Sequence, residues 1–253
     1  MYDYGIDDGL QQPELGTQDV YADIVYCIDL TSSMQPIIDK VKQTALTLHS
    51  ELQNVMRNNY QRSIKQLRIK VIGFRDVYVD GPKSFEVSDF FDLPYEADEF
   101  KNFVDKLEAK GGGDVPESAL EACAMAMQSD WCTTIDSSIR KRHIVVLFTD
   151  ATYHDLEQSE NGIDRYYPPD MPDTYSELVD MWQGQGSCAN GGRGCKIDPI
   201  AARLAVFAPK VEQWKYFSDD FSNCLVQYIE PNKGGSDIKL DDILKMLGET
   251  MAA

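Results

Sequence analysis

Three short polar stretches carry residues that could do chemistry together. In VYCIDLTSS an apolar run, Val25 to Ile28, is followed by Asp29, Thr31, Ser32 and Ser33. Asp114 closes the glycine run at 111–114, and Asp150 ends the apolar stretch RHIVVLFTD at 142–150. Each has an ordinary reading by itself. An acid or hydroxyl after a strand caps the next helix, and glycines before a helix make a turn. Brought to one place, however, the three carboxylates would repel one another, and at least one would stay protonated. A divalent cation relieves that repulsion. Hard oxygen donors of this kind suit Mg²⁺, or Mn²⁺ and Ca²⁺, and the set offers no soft ligand for zinc or copper.

The elements that must position these residues follow from periodicity. Continuous apolar runs predict strands at 22–29, 67–76, 142–150, 201–209 and 223–229. FEVSDF at 85–90 reads as another strand, and the Asp80-Gly81 turn before it predicts an antiparallel partner. Helical spacing of apolar residues predicts helices at 34–58, 96–109, 117–129, about 175–182, and 239–251. Strands alternating with helices predict a doubly wound α/β fold. It has a mostly parallel sheet, one antiparallel edge strand and helices on both faces. In such a sheet, ligands bind outside the carboxyl ends of the strands, the edge to which Asp29, Asp114 and Asp150 belong. Arg75 and Asp76 end the second strand on that edge. They read as a pair of opposite charges, or with Asp76 standing behind the metal ligands.

The ordered set Asp29-x-Thr31-x-Ser33, then Asp114, then Asp150 resembles the metal-ion-dependent adhesion site (MIDAS) of von Willebrand factor A (vWA) domains. The resemblance covers about residues 20–250. The stretches GFRD at 73–76 and GGGDVPE at 111–117 resemble an intracellular branch of that family, with domains near α-type kinases and bacterial tellurite-resistance proteins. It implies a Rossmann-like fold and a module that binds another protein through a metal-bearing loop edge. It also implies that Thr31 and Ser33 bind the cation through their hydroxyls, with Asp29 and Asp150 acting directly or through water. Asp114 stands where many members have Thr. A third carboxylate leaves about −1 on the site once Mg²⁺ is bound. The metal is then held more tightly but is a weaker Lewis acid, which disfavours capture of a partner's carboxylate.

Composition narrows the classes. The chain has 253 residues and a formal charge of −18, from 42 acids against 24 bases. Nucleic acid and anionic membrane surfaces would be repelled. Residues 1–20 read as an acidic arm, and 21–253 as one domain with a long loop insertion at about 151–198. No basic and apolar leader opens the chain, and Cys27, Cys123 and Cys224 fall in apolar segments. Both features predict a cytoplasmic protein with free thiols. No P-loop, G-x-G-x-x-G or Ser–His–Asp arrangement is present, so the expectation is no enzyme. The alternatives are a Mg²⁺-dependent phosphoryl-transfer hydrolase, disfavoured because Thr31 stands where its general acid would, and an accessory subunit of an AAA ATPase or kinase–phosphatase system. Tyr166 and Tyr167, in the loop after Asp150, suit a partner rim or fold back on the core. Cys188 and Cys195 in the Gly-rich loop read as two ordinary thiols or a reversible disulfide.

Overall fold

The computed structural model describes residues 19–111, 116–133, 139–156 and 166–253. Within them, in chain order, are β1 (Val20–Asp29), α1 (Gln35–Thr44), α2 (Leu48–Tyr60), β2 (Ile64–Phe74), α3 (Val77–Asp80), β3 (Phe85–Val87), β4 (Phe91–Leu93) and α4 (Ala97–Val104). Then come α5 (Ala119–Met127), β5 (Arg140–Phe148), α6 (Tyr175–Gln183), β6 (Ala202–Pro209), α7 (Glu212–Asp220), β7 (Cys224–Ile229) and α8 (Leu240–Ala252). The strands form one seven-stranded sheet in the order β3-β2-β1-β5-β6-β7, with β4 also on β2. Along the path β2-β1-β5-β6-β7 every pairing is parallel, and β3 and β4 run antiparallel to β2.

The apolar runs are buried on both faces because alternate residues enter two separate cores. Ile24, Tyr26 and Ile28 of β1, with Ile144, Val146 and Phe148 of β5, pack under α1, α2, α4 and α8. Val25, Cys27, Val145 and Leu147 point the other way, against α5, α6 and α7. Helix α5 is built of small residues, ALEACAMAM, and lies close on the sheet with almost every side chain buried.

Several elements differ from the sequence expectation, among them the short helix α3, which was not expected. The helix expected over 34–58 breaks into α1 and α2 at Thr44 to Thr47, where threonine hydroxyls make local bonds: Thr44 Oγ1 donates to Lys40 O at 2.9 Å and Thr47 Oγ1 to Glu51 Oε1 at 2.8 Å. Of the edge strand expected over 85–90 only β3 forms, and a second short strand, β4, follows beyond it at 91–93. Between them the Ser88 hydroxyl, rather than a backbone carbonyl, accepts the Val71 N–H at 2.9 Å. Helix α7 falls where sequence reading placed no element, since only Trp214 and Phe217 mark its buried side. The arm expected over 1–20 lies, up to residue 18, outside the described residues, and Val20 already belongs to β1.

Candidate metal centre

The strand ends deliver Asp29 and Asp150 to one edge. Asp29 is the last residue of β1 and has no exposed surface; Asp150 follows β5 by two residues and is 3% exposed. Ser33 Oγ donates to Asp150 Oδ1 at 2.9 Å, so the first and third motifs are in direct contact. Thr31 Oγ1 lies 3.4 Å from Ser33 Oγ. Thr31 N–H donates to Asp29 Oδ1 at 2.8 Å, and the Thr149 hydroxyl donates to Asp29 Oδ2 at 2.8 Å. Burial raises the Asp29 carboxyl to about 6; the hydrogen bonds from Thr31 and Thr149 pull against that, and the Asp150 charge adds to it. Among the described residues, no lysine or arginine pairs with either carboxylate. Two adjacent buried acids, two hydroxyls and no basic partner are a donor set that fits a hard divalent cation.

Asp114, the third expected acid, lies outside the described residues. The described residues alone hold no cluster of three His, Cys, Asp or Glu side chains fit for a metal. The loop that leads to Asp114 is nevertheless tied to this edge. Ser32 Oγ donates to Gly111 O at 2.9 Å, and Lys110 N donates to Leu30 O at 2.8 Å.

Three contacts of the site were not foreseen from sequence. Thr149 orients Asp29, Gly111 supplies a carbonyl to Ser32, and Gly234 N donates to Asp150 Oδ2 at 2.7 Å. Thr149 left a signal, as a hydroxyl beside an acid at a strand end, and Gly111 another, as the first residue of the glycine run. Gly234 is 84 residues from Asp150, so no local pattern could pair them.

The flanking candidates take other roles. Arg75 does not pair with Asp76. Its guanidinium donates to Lys110 O, Lys83 O and Glu108 O at 3.0, 2.9 and 2.8 Å and to the Glu86 carboxylate at 3.0 Å. A planar fork with five donors is suited to such a bracket, and it holds the 108–111 segment against β3. Asp76 caps α3 by accepting Tyr78 N–H at 2.8 Å, and its Oδ1 lies 3.3 Å from His154 Nε2. Tyr167 folds back: its hydroxyl donates to buried Glu121 Oε1 at 2.9 Å. The Tyr166 ring lies over Gly81, within 3.7 Å of where a Cβ there would sit. Cys188 and Cys195 are both buried and free, their thiols turned to the α6 carbonyls of Glu177 and Met181.

No family model and no curated protein matches this sequence. Solved structures of similar fold do match. One is the pilus adhesin SpaC from Lactobacillus rhamnosus GG, with a TM-score of 0.50 and 11% identity over 92% of this chain and 31% of that one. Another is proximal thread matrix protein 1 from the mussel byssus, with a TM-score of 0.47 and 12% identity over 92% of this chain and 48% of that one. A further structure of the mussel protein, at a TM-score of 0.48, has a zinc-occupied MIDAS motif. The chain spans about a third to a half of the length of these proteins. Identities this low speak to fold alone, and the fold is a vWA-like, Rossmann-like α/β sheet.

Proposed function

We propose that this chain is a metal-dependent protein-interaction module of the vWA type, and not an enzyme. Its cation would be held by Asp29, Thr31, Ser33, Asp150 and Asp114. The observation that carries this reading is the contact between buried Asp150 and Ser33, beside buried Asp29, with no basic side chain among the described residues to balance the two acids. The anchoring of Gly111 beside Ser32 supports Asp114 as the further ligand, because three residues of chain reach about 10 Å at most. Mg²⁺ is the proposed ion, with Mn²⁺ or Ca²⁺ as substitutes, since every donor is an oxygen. A cytoplasmic setting and the intracellular branch are part of the proposal, supported by Cys27 and Cys123, which are buried free thiols.

Calorimetric titration of Mg²⁺ and Mn²⁺ into chelator-treated protein tests the reading. Saturable binding is expected in the wild type and lost in an Asp29→Ala, Ser33→Ala double variant. Binding that survives in the double variant, or none in the wild type, overturns it.

A further inference from the structure

A cleft of about 490 Å³ opens on the same sheet edge, lined by Tyr78, Pro116, Tyr153, His154, Asp155 and Gln213. That volume is in the range of ligand-binding pockets. Its walls come from the segments that follow β2, β5 and β6 and from Pro116, ahead of α5. Residues 152–154 run alongside Glu117: Glu117 N donates to Thr152 O at 2.9 Å, and His154 N donates to Glu117 O at 3.1 Å. Tyr153 turns inward, 5% exposed, with its ring 4.9 Å from Trp214 and its hydroxyl donating to Gln213 O at 3.3 Å. His154 turns the other way and meets Tyr78 edge-to-face, with ring centroids 5.0 Å apart.

We propose that this cleft receives an arginine side chain of a protein partner. Charge and shape favour that occupant. Asp155 is exposed at the cleft, and buried Asp76 stands behind His154 at 3.3 Å. Among the described residues, no lysine or arginine lines the cleft. The half-buried Tyr78 ring supplies a quadrupole that attracts a guanidinium, while the carboxylate and amide lining offers acceptors for its planar donors. The chain's −18 charge favours a basic partner on every approach. The inference rests on the reading of this edge as a protein-docking surface, but it uses none of the metal ligands.

The test is a titration of N-acetyl-arginine amide into the full chain, followed by NMR at the rings of Tyr78 and His154. N-acetyl-lysine, N-acetyl-glutamine and N-acetyl-glutamate amides are the comparison probes. Saturable shifts with the arginine probe at millimolar concentration are expected, tighter than with the other three. Asp155→Asn, an exposed and isosteric change, should weaken binding about tenfold. No saturable shift, an equal response to glutamine, a preference for glutamate, or undiminished affinity in Asp155→Asn overturns the proposal. The Asp29→Ala, Ser33→Ala variant separates the two readings, since it should keep arginine binding while losing Mg²⁺ binding. Arginine binding without Mg²⁺ binding sinks only the metal reading, and the reverse sinks only the cleft.

Discussion

Asp29, a ligand in the proposed metal site, has its carboxylate fixed by its neighbours. Both carboxylate oxygens are already engaged, by Thr31 N–H and by the Thr149 hydroxyl, so the group does not swing. His143 is a buried group of the opposite kind. Its ring stacks on Trp131 at 4.8 Å, Nδ1 accepts Asp198 N–H at 3.1 Å, and Nε2 donates to Cys132 O at 2.9 Å. A second proton would cost it the Asp198 bond. Burial lowers its pKa from 6.5 to about 4, against the pull of the Cys132 carbonyl. The unfolded chain therefore binds a proton between those values that the folded chain refuses. Stability from this group is complete above about 6.5 and is lost as pH falls toward 4. Urea unfolding across that window should show a slope of up to about 1.4 kcal/mol per pH unit in excess of a His143→Gln variant. Equal slopes in the two proteins would assign the acid sensitivity to other groups.

At the scale of elements, the loop after β7 reaches back over the site. Gly234 has φ +54°, and a Cβ there would sit 1.9 Å from the Ser33 carbonyl oxygen, backbone against backbone. Gly191 also has positive φ, +83°, but faces open space. Both substitutions with alanine pay the left-handed conformation, roughly 1 kcal/mol. Gly234→Ala must also move the turn that carries Thr31 and Ser33, so at least about 3 kcal/mol is expected there, with weakened Mg²⁺ binding. Thermal and urea unfolding of the pair checks this. Comparable losses in the two variants would mean the loop yields without disturbing the site. The contrast also explains what was legible in the sequence. Asp29 and Asp150 could be read because each ends an apolar run long enough to be a buried strand. The mostly parallel sheet followed from the same runs and the antiparallel edge from the Asp80-Gly81 turn, whereas the strand order carries no local signal. Gly234 could not be read, since its partners Ser33 and Asp150 are remote in sequence. The break between α1 and α2 was hidden because apolar spacing continues through Thr44 and Thr47. The Arg75 bracket was hidden because three of its acceptors are backbone carbonyls, which carry no sequence signature.

For the whole molecule, the excess of acids acts in two directions at once. A charge of −18 on a chain of 253 residues repels itself in the folded state more than in the expanded one. Added salt screens that repulsion, shortening the Debye length from about 30 Å at 0.01 M to about 8 Å at 0.15 M. The metal-free protein should therefore melt at a higher temperature as NaCl rises over that range. Capture of a basic partner should move the opposite way, because the same screening removes the steering field that raises association rates. Differential scanning calorimetry gives the first quantity, and calorimetric titration of the arginine probe at the two salt concentrations gives the second. Opposite signs are the expected result. If salt raised both, attraction to the probe would be apolar rather than electrostatic. A melting temperature that fell with salt would place the dominant charge interactions in favourable pairs such as Arg68 with buried Asp23, and not in the net repulsion.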